Sequence, residues 1–128
     1  MFNLSKRSLG RLEGVHPDLV KVVKRAIEIT AIDFAVLEGL RTLETQKEYL
    51  KKGATTTLRS RHLTGHAVDL GAYIGGSIRW EWPLYDKLSE AVLTASKELD
   101  VAVEWGGNWK SFRDGPHFQL SWSAYPAD

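Results

Sequence analysis

The sequence has 128 residues, 43% hydrophobic and 26% charged, which suits a globular chain burying one core. Its 17 Lys and Arg against 16 Asp and Glu leave a formal net charge of +1, without the basic excess that marks a nucleic-acid-binding protein. The absence of cysteine excludes disulfides, thiolate metal sites and a cysteine nucleophile, so any zinc site must draw on Asp, Glu and the histidines at 16, 62, 66 and 117.

The opening stretch, MFNLSKRSLGRLEGVHPDL, is polar and lacks the apolar core of a signal peptide, and no later run reaches the length of a membrane span. The expectation is a protein made in the cytoplasm without stable membrane insertion. Pro17 suits a first helical turn, and from Asp18 to Ile29 the side chains of Leu19, Val22, Val23, Ala26 and Ile27 share one helical face. Phe34 to Leu40 is a short apolar run between turn formers and predicts a buried strand. Thr42 to Lys52 predicts a second helix, with Thr42 as N-cap and Gly53 as terminator.

Residues 54–64 form a polar stretch, and HAVDLGAY has strand character after Gly65. Pro83 opens a third helix with a stripe of Leu84, Leu88, Ala91, Val92, Ala95 and Leu99. Val101 to Trp105 predicts a strand, Gly106 to Gly115 a loop and Pro116 to Ser121 a last strand. Helix, strand, helix, strand, helix, strand, strand implies an α+β domain over residues 1–128, with helices packed on a small sheet.

Two stretches carry chemistry. In SRHLTGHAVDLGA, residues 60–72, an extended segment puts His66, Val68 and Leu70 on one face and Ala67, Asp69 and Gly71 on the other. Asp69 then points away from His66, while a loop-borne His62 can fold back over the strand to meet it. In DGPHFQL, residues 114–120, His117 and Gln119 face one way and Phe118 and Leu120 can anchor in the core. Two imidazole nitrogens and one carboxylate oxygen make a zinc site with a position left for water, as catalytic zinc requires. Asp114, just upstream, could accept a proton there. The bland alternatives are a turn at Asp114-Gly115, with Glu104 as rival base, and a structural role for His66 and His16. Of the tryptophans, Trp105 or Trp109 is expected near the cleft and the others in the core or in groove walls.

Ser60-Arg-His62-Leu-Thr-Gly65-His-Ala67-Val-Asp69 resembles the SxHxxGxAxD signature of the zinc D,D-peptidase and L-alanyl-D-glutamate peptidase family, the VanY/VanX-like peptidases. Asp114-Gly-Pro-His117 resembles that family's second motif, an acidic residue three places before the last zinc ligand. GLRTLETQKEYLKKG (39–53) and EWGGNW (104–109) resemble the neighbouring family segments. The resemblance implies the small α+β fold shared with the Hedgehog signalling domain. It implies Zn2+ held by His62, Asp69 and His117, with Asp114 as general base and Arg41 steadying the carbonyl oxygen as it gains negative charge. The implied activity is that of a small phage endolysin acting as a monomer, which hydrolyses the L-alanyl-D-glutamate bond of the peptidoglycan stem peptide. A separate holin-like protein would release it to the wall. The alternatives are a D-alanyl-D-alanine carboxypeptidase and a non-catalytic zinc-containing module that binds cell wall.

Overall fold

The computed structural model describes residues 1–55, 60–110 and 113–126. Parts of the expected polar stretch (56–59) and of the expected loop (111–112) lie outside the described residues. Among the described residues there are four α-helices: α1 (Lys6–Arg11), α2 (Pro17–Ile29), α3 (Leu43–Lys52) and α4 (Trp82–Glu98). Five strands form one antiparallel sheet: β1 (Phe34–Glu38), β2 (Ala67–Ile74), β3 (Ser77–Arg79), β4 (Val103–Trp105) and β5 (His117–Leu120). The sheet order is β1-β2-β5-β4, with β3 pairing the far end of β2. The α+β expectation holds.

The local signals explain most of these elements. Pro17 sits in the first turn of α2, and the five apolar residues singled out by periodicity are all buried. Thr42 accepts from the Thr45 amide at the start of α3, and Gly53 ends that helix in the left-handed region. The N-terminal stretch expected to be merely polar contains α1, capped by Ser5. This helix shields the open edge of the sheet: Ser8 Oγ accepts from the Val36 amide at 3.0 Å, and Arg11 donates to the Val36 carbonyl at 3.0 Å. The β2–β3 hairpin was also not anticipated, although Gly75-Gly76, both at positive φ, is a hairpin-turn dipeptide. The strand expected from Val101 begins at Val103.

The core lies between one face of the sheet and helices α2 and α4. Leu19, Val22, Val23, Tyr85, Leu88 and Val92 meet Phe34, Val36, Val68, Leu70, Phe118 and Leu120. Strand alternation then sends Asp69, Glu104, His117 and Gln119 to the opposite face. Burial of one face therefore fixes what the other presents.

Candidate metal centre and cleft

Asp69 and His117 are directly opposite each other in the β2–β5 ladder, so two of the expected ligands are mounted on paired central strands. His62 comes from a 3-10 turn (Arg61–Thr64) that leads into β2. Ser60 starts this turn by accepting from the His62 amide at 3.2 Å, and Gly65 closes it at φ 75°. A Cβ at Gly65 would stand 2.3 Å from the Gly14 carbonyl oxygen, so both dihedral and space demand glycine there. The Arg41 amide donates to the His62 carbonyl at 3.0 Å, which ties the turn to the β1–α3 loop.

The three side chains converge. His62 Nε2 lies 3.3 Å, and His117 Nδ1 3.2 Å, from Asp69 Oδ1. The donor atoms of this group lie within 4.8 Å of one another. Each imidazole has its second nitrogen engaged elsewhere. His62 Nδ1–H donates to the Gly39 carbonyl at 2.8 Å, and His117 Nε2–H donates to Gln119 Oε1 at 2.8 Å. A neutral ring with that proton committed has only a lone pair left, so both histidines turn lone pairs toward Asp69 Oδ1. Three acceptors facing one point call for a cation, and two nitrogens with one oxygen suit zinc. The residues present fit the metal.

Charge in the site follows from this packing. When the rings are protonated instead, with no metal between them, burial opposes ionisation of Asp69, but hydrogen bonds and charge from His117 and His62 outweigh it and hold the carboxyl well below the usual range. Burial would lower the His117 imidazole, yet hydrogen bonding and charge from Asp69 win, and it is raised. Asp114 moves the other way: burial, then the negative charge of Asp69, push its carboxyl up. A carboxylate with raised basicity beside a metal-capable group is suited to accept a proton.

Among the described residues Asp114 is placed by its backbone bonds. Its amide donates to the Gly106 carbonyl at 3.1 Å, and its own carbonyl accepts from the His117 amide at 3.2 Å. A Cβ on Gly106 would lie 2.5 Å from the Asp114 carbonyl oxygen, so that glycine lets the Asp114 segment close onto the start of β5.

These groups line a cleft of about 980 Å³. Arg41 lies in its wall with its side chain 9% exposed, and its Nη2 is 4.0 Å from Asp69 Oδ2. Trp109 packs on His117 with ring centroids 5.0 Å apart. Trp105 is buried instead, stacked on Phe118, its indole N–H donating to the Gly115 carbonyl at 2.7 Å. Glu104, the rival base, also lines the cleft, in register with Gln119. His66 faces away, its Nδ1 2.7 Å from Thr64 Oγ1 and its ring 5.5 Å from that of His16. Neither histidine lines the cleft.

Glu38 and Tyr49, which line the cleft, and Gln46, buried behind Arg41, were not singled out from sequence. Gln46 accepts from Arg41 Nη1 at 2.6 Å, and Tyr49 lies under the guanidinium, 4.7 Å from carbon to ring centroid. Their spacing on α3, three residues apart, puts them on one helical face, a signal that periodicity could have supplied. Trp122, beyond the last strand, lies in the cleft wall as one of the tryptophans expected in the core or in groove walls, and stacks on the Arg61 guanidinium at 4.1 Å.

A profile of the phage L-alanyl-D-glutamate peptidase family matches residues 1–120. The L-alanyl-D-glutamate peptidase of Escherichia phage T5 is 32% identical over 117 residues, covering 88% of this chain and 85% of that protein. The Bacillus subtilis (strain 168) peptidoglycan L-alanyl-D-glutamate endopeptidase CwlK is 32% identical over 112 residues, 77% of this chain and 66% of the relative. The crystal structure of the Serratia marcescens L-Ala D-Glu endopeptidase ChiX is similar with a TM-score of 0.93 at 48% identity, covering 98% of this chain and 95% of that one. The vancomycin-resistance D,D-dipeptidase VanXYg, at 21% identity and a TM-score of 0.54 over 83% of this chain and 50% of that one, shares the fold. With the profile spanning residues 1–120, which include both metal-capable strands, and with relatives covering most of its length, the chain belongs to the phage L-alanyl-D-glutamate peptidase family.

Proposed function

We propose that residues 1–128 act as one catalytic domain, a zinc-dependent endopeptidase that hydrolyses the L-alanyl-D-glutamate bond of the peptidoglycan stem peptide. The observation that carries this is the convergence of His62, Asp69 and His117, with ring protons committed elsewhere, in the wall of a cleft shared with Asp114 and Arg41. Relatives named for this bond, at 32–48% identity, support the substrate.

His62 Nε2, Asp69 Oδ1 and His117 Nδ1 would hold the zinc. When bound, the ion supplies a Lewis acid that acidifies water and polarises an amide carbonyl. Asp114, raised in basicity by burial and by Asp69, takes the proton from the attacking water and hands it to the leaving D-glutamate amine. Arg41 presents a fixed cation where negative charge builds on the former carbonyl oxygen. Trp109 and Trp122 wall the cleft and hold the peptide against these groups.

Every one of these side chains comes from a single chain, which supports action as a monomer. Among the described residues no helix is long and apolar enough to cross a membrane. In an endolysin role, passage to the wall falls to a separate holin-like protein.

The test is mass spectrometry of purified peptidoglycan after digestion with the zinc-loaded protein, beside a chelated control. New amino termini on D-glutamate, lost on chelation, are expected. Release of terminal D-alanine would replace this reading with a carboxypeptidase. An intact wall with zinc bound would replace it with a binding module.

A further inference from the structure

The β1 strand carries an irregularity that reaches the cleft. Val36 pairs with Leu70, but the next pair is Glu38 with Asp69, so two steps on β1 oppose one on β2. Simple alternation would place Glu38 on the core face with Phe34 and Val36. The bulge at Leu37 turns it instead to the face of Asp69. There Glu38 Oε1 accepts from Arg41 Nε at 3.0 Å and also from Arg41 Nη2, while Tyr49 O–H donates to Glu38 Oε2 at 3.5 Å. Arg41 Nη1 is taken by Gln46, and the guanidinium lies over the Tyr49 ring.

We propose that Glu38 is a positioning residue for hydrolysis, set on the metal face by the bulge to lock the Arg41 guanidinium at the cleft wall. The inference rests on the role given to Arg41 in the proposed function. Long side chains lose catalytic value when their charged ends wander, and fixing one by two bonds from a neighbouring carboxylate removes that freedom before substrate arrives. Glu38 also competes for the cation. With Nη2 bonded to Glu38, Arg41 stays 4.0 Å from Asp69 Oδ2 rather than closing on it, which leaves Asp69 for the metal.

The experiment compares wild type, Glu38→Gln, Glu38→Asp, Arg41→Gln and the Glu38→Gln/Arg41→Gln double variant, all zinc-loaded, on a muramoyl stem peptide. Glu38→Gln is expected to lower kcat by about tenfold or more with KM and zinc stoichiometry little changed, and Glu38→Asp to fall between it and wild type. In the Arg41→Gln background the Glu38 change should lower kcat by less than about twofold, because its effect passes through the arginine. Multiplying losses, or an unchanged kcat in Glu38→Gln, would overturn the proposal. A second readout needs no turnover: the Arg41 Nε–H resonance in 15N-labelled metal-free protein should move toward that of exposed arginines in Glu38→Gln, and an unmoved resonance is equally contrary. Failure of wild type to cleave would count against the peptidase reading, and the resonance would then decide alone whether Glu38 holds the guanidinium.

Discussion

Asp114 and Gln119 sit beside the same histidine and are expected to fail in opposite ways when changed. The Asp114 carboxyl is raised by burial and by Asp69, so the folded state binds its proton more tightly than the unfolded chain. Stability from this group is therefore full below the unfolded value and declines as pH rises through the higher folded one. Asp114→Asn removes that decline. In chelated protein its melting temperature should exceed wild type near neutrality and converge with it in acid, while zinc-loaded activity drops by about 10²–10⁴-fold, the usual worth of a general base. A variant that loses stability along with activity would mark Asp114 as structural. Gln119 instead fixes the ring of His117 by accepting Nε2–H. Gln119→Leu keeps the volume but removes the acceptor, and should weaken zinc by about 10–100-fold in a chelator competition, with activity restored by excess metal. At this scale the sequence was most legible: alternation along two short strands put Asp69 away from His66 and His117 beside Gln119, as found. Glu38 was not legible, because alternation is the rule that its bulge breaks.

The 3-10 turn from Arg61 to Thr64 is the element on which the centre depends, since it alone brings a loop histidine to two strand residues. Its ends are fixed by Ser60 and Gly65, and the His16 amide donates to the Gly65 carbonyl at 2.8 Å, pinning it to the start of α2. Gly65→Ala meets both a left-handed backbone and the Gly14 carbonyl. It should cost more than the roughly 1 kcal/mol of an ordinary glycine replacement. Because the turn must shift to accept the methyl, zinc affinity should fall in the fraction that folds. Calorimetry of the apo protein with a zinc titration checks both, and normal zinc affinity would show that the turn does not set His62. Glycine between His62 and Asp69 suggested a turn, yet its tight fit against Gly14 depends on residues 51 apart in sequence, which no local pattern encodes. The helices were easier to read because Pro17, Thr42 and Gly53 act within a few residues of themselves.

Across the whole molecule, the same sheet buries its apolar face under α2 and α4 and displays Asp69 and His117 on the other, so the proposed metal binding would be linked to folding. Asp69 and His117 belong to strands whose neighbours Val68, Leu70, Phe118 and Leu120 are fully buried. Helix α2 is remote from the cleft but supports that sheet, and Leu19, fully buried, is central to it. Leu19→Ala should cost about 2–5 kcal/mol through lost burial and the cavity left behind. A metal that binds only the folded state returns stability in proportion to the logarithm of its concentration over its dissociation constant, about 2.7 kcal/mol at a hundredfold excess. Zinc should therefore raise the melting temperature of Leu19→Ala as it does that of wild type, and bring its activity back toward wild type where the apo form is partly unfolded. His62→Ala leaves the core intact but removes a ligand, so its melting temperature should respond little to zinc at the same concentrations. The pair of thermal scans, with and without zinc, separates a defect of the scaffold from a defect of the centre. If zinc failed to stabilise wild type while stabilising His62→Ala, the three converging side chains would not be the metal site.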